Sequence, residues 1–200
     1  MMHLNIPRPA FGSAKRFSAL SGRLRRLDGL KANPGNLNAW FYKPDQAAGG
    51  RLPLVVVLHG CTQTAAGYDQ GSGWSELGST HGFATLFPEQ QRANNPNLCF
   101  NWFQPGDTRR AAGEASSIAE MIEVMVEKHG VDRERVYITG LSAGGAMTSV
   151  MLATYPEIFA GGAIIAGLPY GAASGVPEAL QQMRSHSPSA RMTGRSIRQA

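Results

Sequence analysis

Residues 54–58 read Leu-Val-Val-Val-Leu, five apolar residues in a row, three of them β-branched. A strand with one wet face alternates apolar and polar residues. An unbroken run fits a strand covered on both faces, which is where the strands of parallel sheets lie. Shorter runs at 83–87, 136–139 and 159–166 read the same way, and 36–43 alternates loosely around Trp40 and Tyr42. Pro44 and Pro88 are expected to close two of these strands. Helices are predicted between them. Ala115, Ile118, Ala119, Ile122, Met125 and Val126 repeat at i, i+3, i+4, with Glu120, Glu123 and Glu127 opposite, and Gly130 follows. Further helices are expected at 74–80, at 143–155 before Pro156, and at 177–184. Strands alternating with helices predict an α/β fold: a mostly parallel sheet with helices on both faces.

Residues 1–35 show no sustained period and are expected to form a basic, poorly ordered N-terminal tail. The domain is placed at 36–183, and 184–200 reads as a second basic, polar tail. The net charge of +5 is unevenly spread: residues 1–50 carry eight Lys/Arg against two acids, whereas 51–183 carry seven against twelve. Nucleic-acid readers place their basic patch on the folded core; here the core is acidic, so no nucleic-acid partner is expected. No apolar run approaches the roughly 18–20 residues that span a bilayer. The first 25 residues lack the apolar stretch of a signal peptide. Residues 89–110 form a long irregular stretch, and loops of that length are usually functional or mobile.

The strongest chemical signal is Gly140-Leu141-Ser142-Ala143-Gly144. In a chain with 24 glycines the pattern alone is weak. Its setting is stronger, because it follows a predicted strand directly and opens a predicted helix. That is the arrangement of the nucleophile elbow, where a tight turn lifts a serine hydroxyl clear of the sheet. Glycines at 140 and 144 would let strand and helix approach, and the helix N-terminus favours negative charge. A plain N-cap serine, worth about 1 kcal/mol, would leave the same pattern.

His59-Gly60-Cys61-Thr62 follows the 54–58 strand. In hydrolases with such an elbow, the loop after this strand supplies one oxyanion amide and the residue after the serine the other. The amides of Cys61 and Ala143 are therefore the expected pair. His59 is expected to orient this loop rather than to act as a base, and His81 and His129 lie at predicted helix ends. No cluster has metal-ligand spacing, so neither a metal nor another cofactor is expected.

Four segments together carry a resemblance: Leu58-His59-Gly60-Cys61-Thr62-Gln63, Cys99-Phe100-Asn101-Trp102-Phe103, Gly113-Glu114, and Gly140-Leu141-Ser142-Ala143-Gly144-Gly145-Ala146-Met147. Over about residues 36–180 the chain resembles the polyhydroxybutyrate depolymerase family of α/β-hydrolase esterases, which takes in feruloyl and acetylxylan esterases. The resemblance implies a serine esterase acting through an acyl-enzyme on Ser142, with short-chain polyhydroxyalkanoates or related esters as substrates. It also implies an extracellular setting and a Cys61–Cys99 disulfide; two free thiols are the reading for a cytoplasmic chain. Trp74 and Trp102 are candidates for contact with a polymer substrate, although core packing would explain such aromatics equally well.

The resemblance further implies a triad in the order Ser, Asp, His. After Ser142 the sequence contains no Asp and a single His, His186. The expectation is a chain that stops before its triad is complete, leaving its last strand as an open edge. A non-catalytic relative that keeps the serine, and an unusual dyad using His59 or His186, are the competing expectations.

Overall fold

The computed structural model describes residues 22–45 and 50–184. Six strands form one sheet: β1 (Arg25–Arg26), β2 (Asn38–Tyr42), β3 (Leu52–Leu58), β4 (Ala84–Glu89), β5 (Val131–Leu141) and β6 (Gly161–Ile165). Their order in space is β1-β2-β4-β3-β5-β6. The β4-β3-β5-β6 part is parallel, and β1 and β2 join antiparallel at one side. The helices are α1 (Ala65–Ser72), α2 (Trp74–His81), α3 (Gly113–His129), α4 (Ala143–Thr154) and α5 (Val176–Gln182).

β3 is central, and its side chains alternate between two cores. Leu54, Val56 and Leu58 meet Ile118, Met121, Ile122 and Met125 of α3 and Met147, Val150 and Met151 of α4. Val57, with Val55 beside it, faces Ala65 and Tyr68 of α1. This two-sided burial is what the unbroken apolar run required. α4 is apolar nearly all round because it lies between the sheet and α3.

Several expectations are corrected. Residues 22–35, expected within the tail, reach the fold: Arg25 and Arg26 pair with Phe41 and Trp40, and Leu27 is buried. Residues 1–21 of that tail lie outside the described residues, as do 185–200. Pro88 does not close β4 but sits inside it, opposite Ala39. The parallel ladder with β3 has already ended at Leu86, so the missing Pro N–H falls where β4 has a neighbour on one side only. The helix α1 was not predicted, because Gly67 and Gly71 break its pattern. It is set instead by its caps: Thr64 accepts from the Gly67 amide, and Gly73 ends the helix at φ 75°. His129 ends α3 as expected, with its ring against Phe41.

At the opposite side, among the described residues, β6 pairs with β5 alone. Ile164 and Ile165 remain about half exposed, at 46% and 47%.

Candidate active site

β5 runs straight into α4, and Ser142 occupies the corner at φ 55° and ψ −114°. A non-glycine residue held there stores about 1–3 kcal/mol of strain, which the surroundings must hold in place. They do so by close packing. The Ser142 amide donates to Ile165 O at 2.9 Å, and its carbonyl accepts from Ala146 N at 2.9 Å. A Cβ on Gly140 would overlap Gly144 O and lie 2.8 Å from Thr148 Oγ1. A Cβ on Gly144 would overlap Leu58 O and lie 2.5 Å from His59 O. The glycines are thus where β3, β5 and α4 touch backbone to backbone.

Gly144→Ala must therefore push α4 off β3. It is expected to lose about 3 kcal/mol or more, at the upper end for overpacking. Gly71→Ala, in α1 with open space around it, is expected to gain up to about 1 kcal/mol. Urea unfolding of the two variants checks the contrast, and equal effects would refute the packing account.

The serine opens on a cavity of about 670 Å³. Ser142 and Ala143 contribute from the elbow, Cys61 and Thr62 from the loop after β3, and Trp102 and Phe103 from the long loop 90–112. Leu168 and Leu180 close the other wall. Among the described residues six non-glycines have positive φ, and Thr62, Ser142 and Ala166 are three that line this cavity. Among the described residues, neither the Cys61 nor the Ala143 amide donates to a protein acceptor, and the Ser142 hydroxyl has no partner. The structure thus brings Ser142, Cys61 and Ala143 to one cavity, as their pattern suggested. Trp102 lines it too, although it is buried against Phe103 rather than standing free as a platform. Trp74 does not line it; its ring packs edge-on against Phe83.

Cys61 and Cys99 are joined in a disulfide. The bond ties the loop after β3 to the long loop, and Thr62 N donates to Asn97 O at 2.7 Å beside it.

His59 is buried, and both ring nitrogens are engaged. Nε2 accepts from the Gln90 amide at 3.1 Å, so Nδ1 carries the proton and donates to Gly60 O at 2.7 Å. Burial pushes its pKa below the ordinary histidine value. Such a ring orients the loop and has no free nitrogen to take a proton from Ser142. His186 lies outside the described residues.

Two residues given no role from sequence stand behind this loop. Glu114, at the start of α3, is fully buried. Its carboxyl accepts from Gln90 Nε2 at 2.5 Å and from the Asn101 amide at 2.9 Å. Burial, with Asp107 nearby, pushes its pKa up to about 8. In the sequence Glu114 stands out only as part of the Gly113-Glu114 pair, and Gln90 carries no signal.

A strand-turn-helix corner of this kind on a mostly parallel, helix-covered sheet is the α/β-hydrolase fold. The family profile described as Esterase PHB depolymerase matches residues 37–194, and the chain belongs to that family. The chain is 52% identical over 160 residues to poly(3-hydroxyalkanoate) depolymerase C of Paucimonas lemoignei, covering 80% of this chain and 38% of that protein. It is 35% identical over 152 residues to acetylxylan esterase A of Aspergillus oryzae, covering 76% and 48%. The solved acetyl xylan esterase from Aspergillus awamori superposes with a TM-score of 0.72 at 30% identity, over 78% of this chain and 56% of that one. The chain thus spans well under two thirds of the length of these relatives.

Proposed function

We propose that this chain carries the nucleophile and oxyanion hole of a serine carboxylic-ester hydrolase. Ser142 Oγ attacks the ester carbonyl, and its proton passes to a base. The amides of Cys61 and Ala143 hold the negative charge that develops on the carbonyl oxygen. Collapse expels the alcohol and leaves an acyl-enzyme on Ser142, which water then hydrolyses. The supporting observation is the strained Ser142 with two amides that have no acceptor among the described residues, all around one cavity. The apolar walls, Trp102 and Phe103 on one side and Leu168 and Leu180 on the other, suit a short acyl chain. With the 52% identity to a poly(3-hydroxyalkanoate) depolymerase, they favour short-chain polyhydroxyalkanoates or related esters as substrate. The disulfide favours an extracellular or otherwise oxidising setting. Among the described residues no helix is long and apolar enough to cross a membrane.

A second reading, a non-catalytic relative, has its own observation. No described residue is placed to take the Ser142 proton, and the sequence after Ser142 holds no Asp. A serine without its base turns over about a million-fold more slowly in a well-studied protease. The test therefore supplies a base. A fluorophosphonate probe is added with and without imidazole, and the adduct is located by mass spectrometry. The expected result is imidazole-dependent labelling at Ser142 that disappears in Ser142→Ala. Labelling unchanged by that substitution, or none with imidazole present, would leave the non-catalytic reading standing.

A further inference from the structure

We infer that Glu114 is a positioning residue for the oxyanion loop, its buried carboxyl fixing the Gly60–Cys61 segment through Gln90 and His59. The inference rests on the reading of the Cys61 amide as an oxyanion donor.

The path is continuous, and it is buried from Glu114 to Gly60. Glu114 Oε1 accepts from Gln90 Nε2. The Gln90 amide donates to His59 Nε2, and His59 Nδ1 donates to Gly60 O. Gly60 N donates in turn to Gln63 Oε1 at 2.8 Å, which closes the turn carrying Cys61. His59 also packs on Phe100 at 4.9 Å between ring centres, so the ring cannot tilt independently of the long loop.

The same carboxyl fixes the facing wall. Glu114 Oε2 accepts from the Asn101 amide, one residue before Trp102. Gln90 Nε2 also donates to Cys99 O at 3.1 Å. Both ends of the Cys61–Cys99 bridge are thereby referred to one group. The amide of Glu114 donates to Asp107 Oδ1 at 3.2 Å, which sets the start of α3 against the far end of that loop.

Burying a carboxyl is costly, and no described cation pairs with Glu114. The seal over it is tight. A Cβ on Gly35 would come within 2.5 Å of Glu114 Cα, and the Gly35 amide donates to Ser117 Oγ at 2.8 Å. An apolar side chain would fill this space with no desolvation penalty. What it could not do is accept from the Gln90 side chain and the Asn101 amide at once, and those two donors belong to the two walls of the cavity.

The test uses Glu114→Gln in the full chain. The variant and the unsubstituted chain are compared at about pH 9, above the value near which Glu114 ionises. There the native carboxylate accepts with both oxygens, whereas a glutamine offers one acceptor oxygen and an NH₂ group and so opposes one of the two donors it must meet. Two readouts are taken: imidazole-assisted phosphonylation of Ser142, and the amide ¹H–¹⁵N spectrum. The labelling rate is expected to fall about 10- to 100-fold, the scale of an oxyanion donor displaced by an ångström or less. The Gly60 and Cys61 amide signals are expected to move, while those at the far end of α4 stay in place. If Glu114→Gln does not fold, Gln90→Asn, one methylene short of the carboxyl, is read the same way. Unmoved Gly60 and Cys61 signals, or an unchanged rate, overturn the inference. If the unsubstituted chain fails to label at all, the esterase reading fails, and the amide shifts still decide whether Glu114 positions the loop.

Discussion

Between pH 6.5 and 8.5 the protein is expected to lose about 2 kcal/mol of folding stability, at a slope approaching 1.4 kcal/mol per pH unit. Most globular domains change little over this range, so the loss needs a specific group. That group is Glu114. Its carboxyl ionises near 4.5 in the unfolded chain and near 8 in the fold, where burial disfavours the charge. Between those values the folded state holds a proton that the unfolded state has released. The contribution is therefore fully present below pH 4.5 and is lost as the pH rises through about 8. Across the whole window it amounts to about 5 kcal/mol as an order of magnitude.

The groups facing Glu114 fix where the effect can be seen. Asp107 is also raised by burial, so it adds a loss of the same sign at lower pH. His59, which reaches Glu114 through Gln90, acts in the opposite sense. Its pKa is lowered in the fold, so its contribution is present above 6.5 and is lost as the pH falls. His129 behaves the same way. Below 6.5 the opposing trends overlap; above it Glu114 dominates. Urea titrations at closely spaced pH values measure the slope, and Glu114→Gln should flatten it. A stability that is level or rises from pH 6.5 to 8.5 would mean that the carboxyl ionises normally and the account of its burial is wrong.

What the sequence discloses about this molecule is mostly local. The run at 54–58 marks a doubly covered strand because burial on both faces leaves no position for a polar residue. The elbow at 140–144 is legible because its geometry involves five consecutive residues and the elements on either side. The periodicity of 115–129 gives α3 nearly to the residue, because Gly130 at φ 70° supplies the stop. What stays hidden is either short or non-local. β1 is two arginines, which no pattern marks as a strand, and it exists because β2 offers it an edge. The Glu114 network joins residues 13, 24 and 31 positions apart. Polar contacts of that kind have no period, so Gln90 looks like any loop glutamine. Trp74 and Trp102 show the same limit: both are tryptophans near functional motifs, and only the folded chain separates the one at the cavity from the one packed on Phe83.

Reducing the Cys61–Cys99 bond is expected to destabilise the protein by about 4 kcal/mol, from the chain entropy released by opening a loop with a sequence separation of 38. For a domain of this size that corresponds to a fall in melting temperature of roughly 8–16 °C. The larger consequence concerns the site. The bridge, the Thr62–Asn97 hydrogen bond and the Gln90 amide's hydrogen bond to His59 Nε2 join the two cavity walls. With the bridge cut, the Thr62–Asn97 and Gln90–His59 hydrogen bonds and the His59–Phe100 contact still link the two loops among the described residues, but Thr62 must hold its positive φ with less support. Labelling at Ser142 should then fall at temperatures well below the melt, whereas the elbow, held by glycine contacts and the Ile165 carbonyl, should remain intact. Thermal unfolding of the oxidised protein, the reduced protein and the Cys61→Ala/Cys99→Ala double variant separates the two effects. The double variant should melt with the reduced form, because both lack the cross-link. A melting temperature within 2 °C of the oxidised protein in both cases would mean that the remaining hydrogen bonds hold the loops unaided, and that the bridge contributes nothing to the geometry around Cys61.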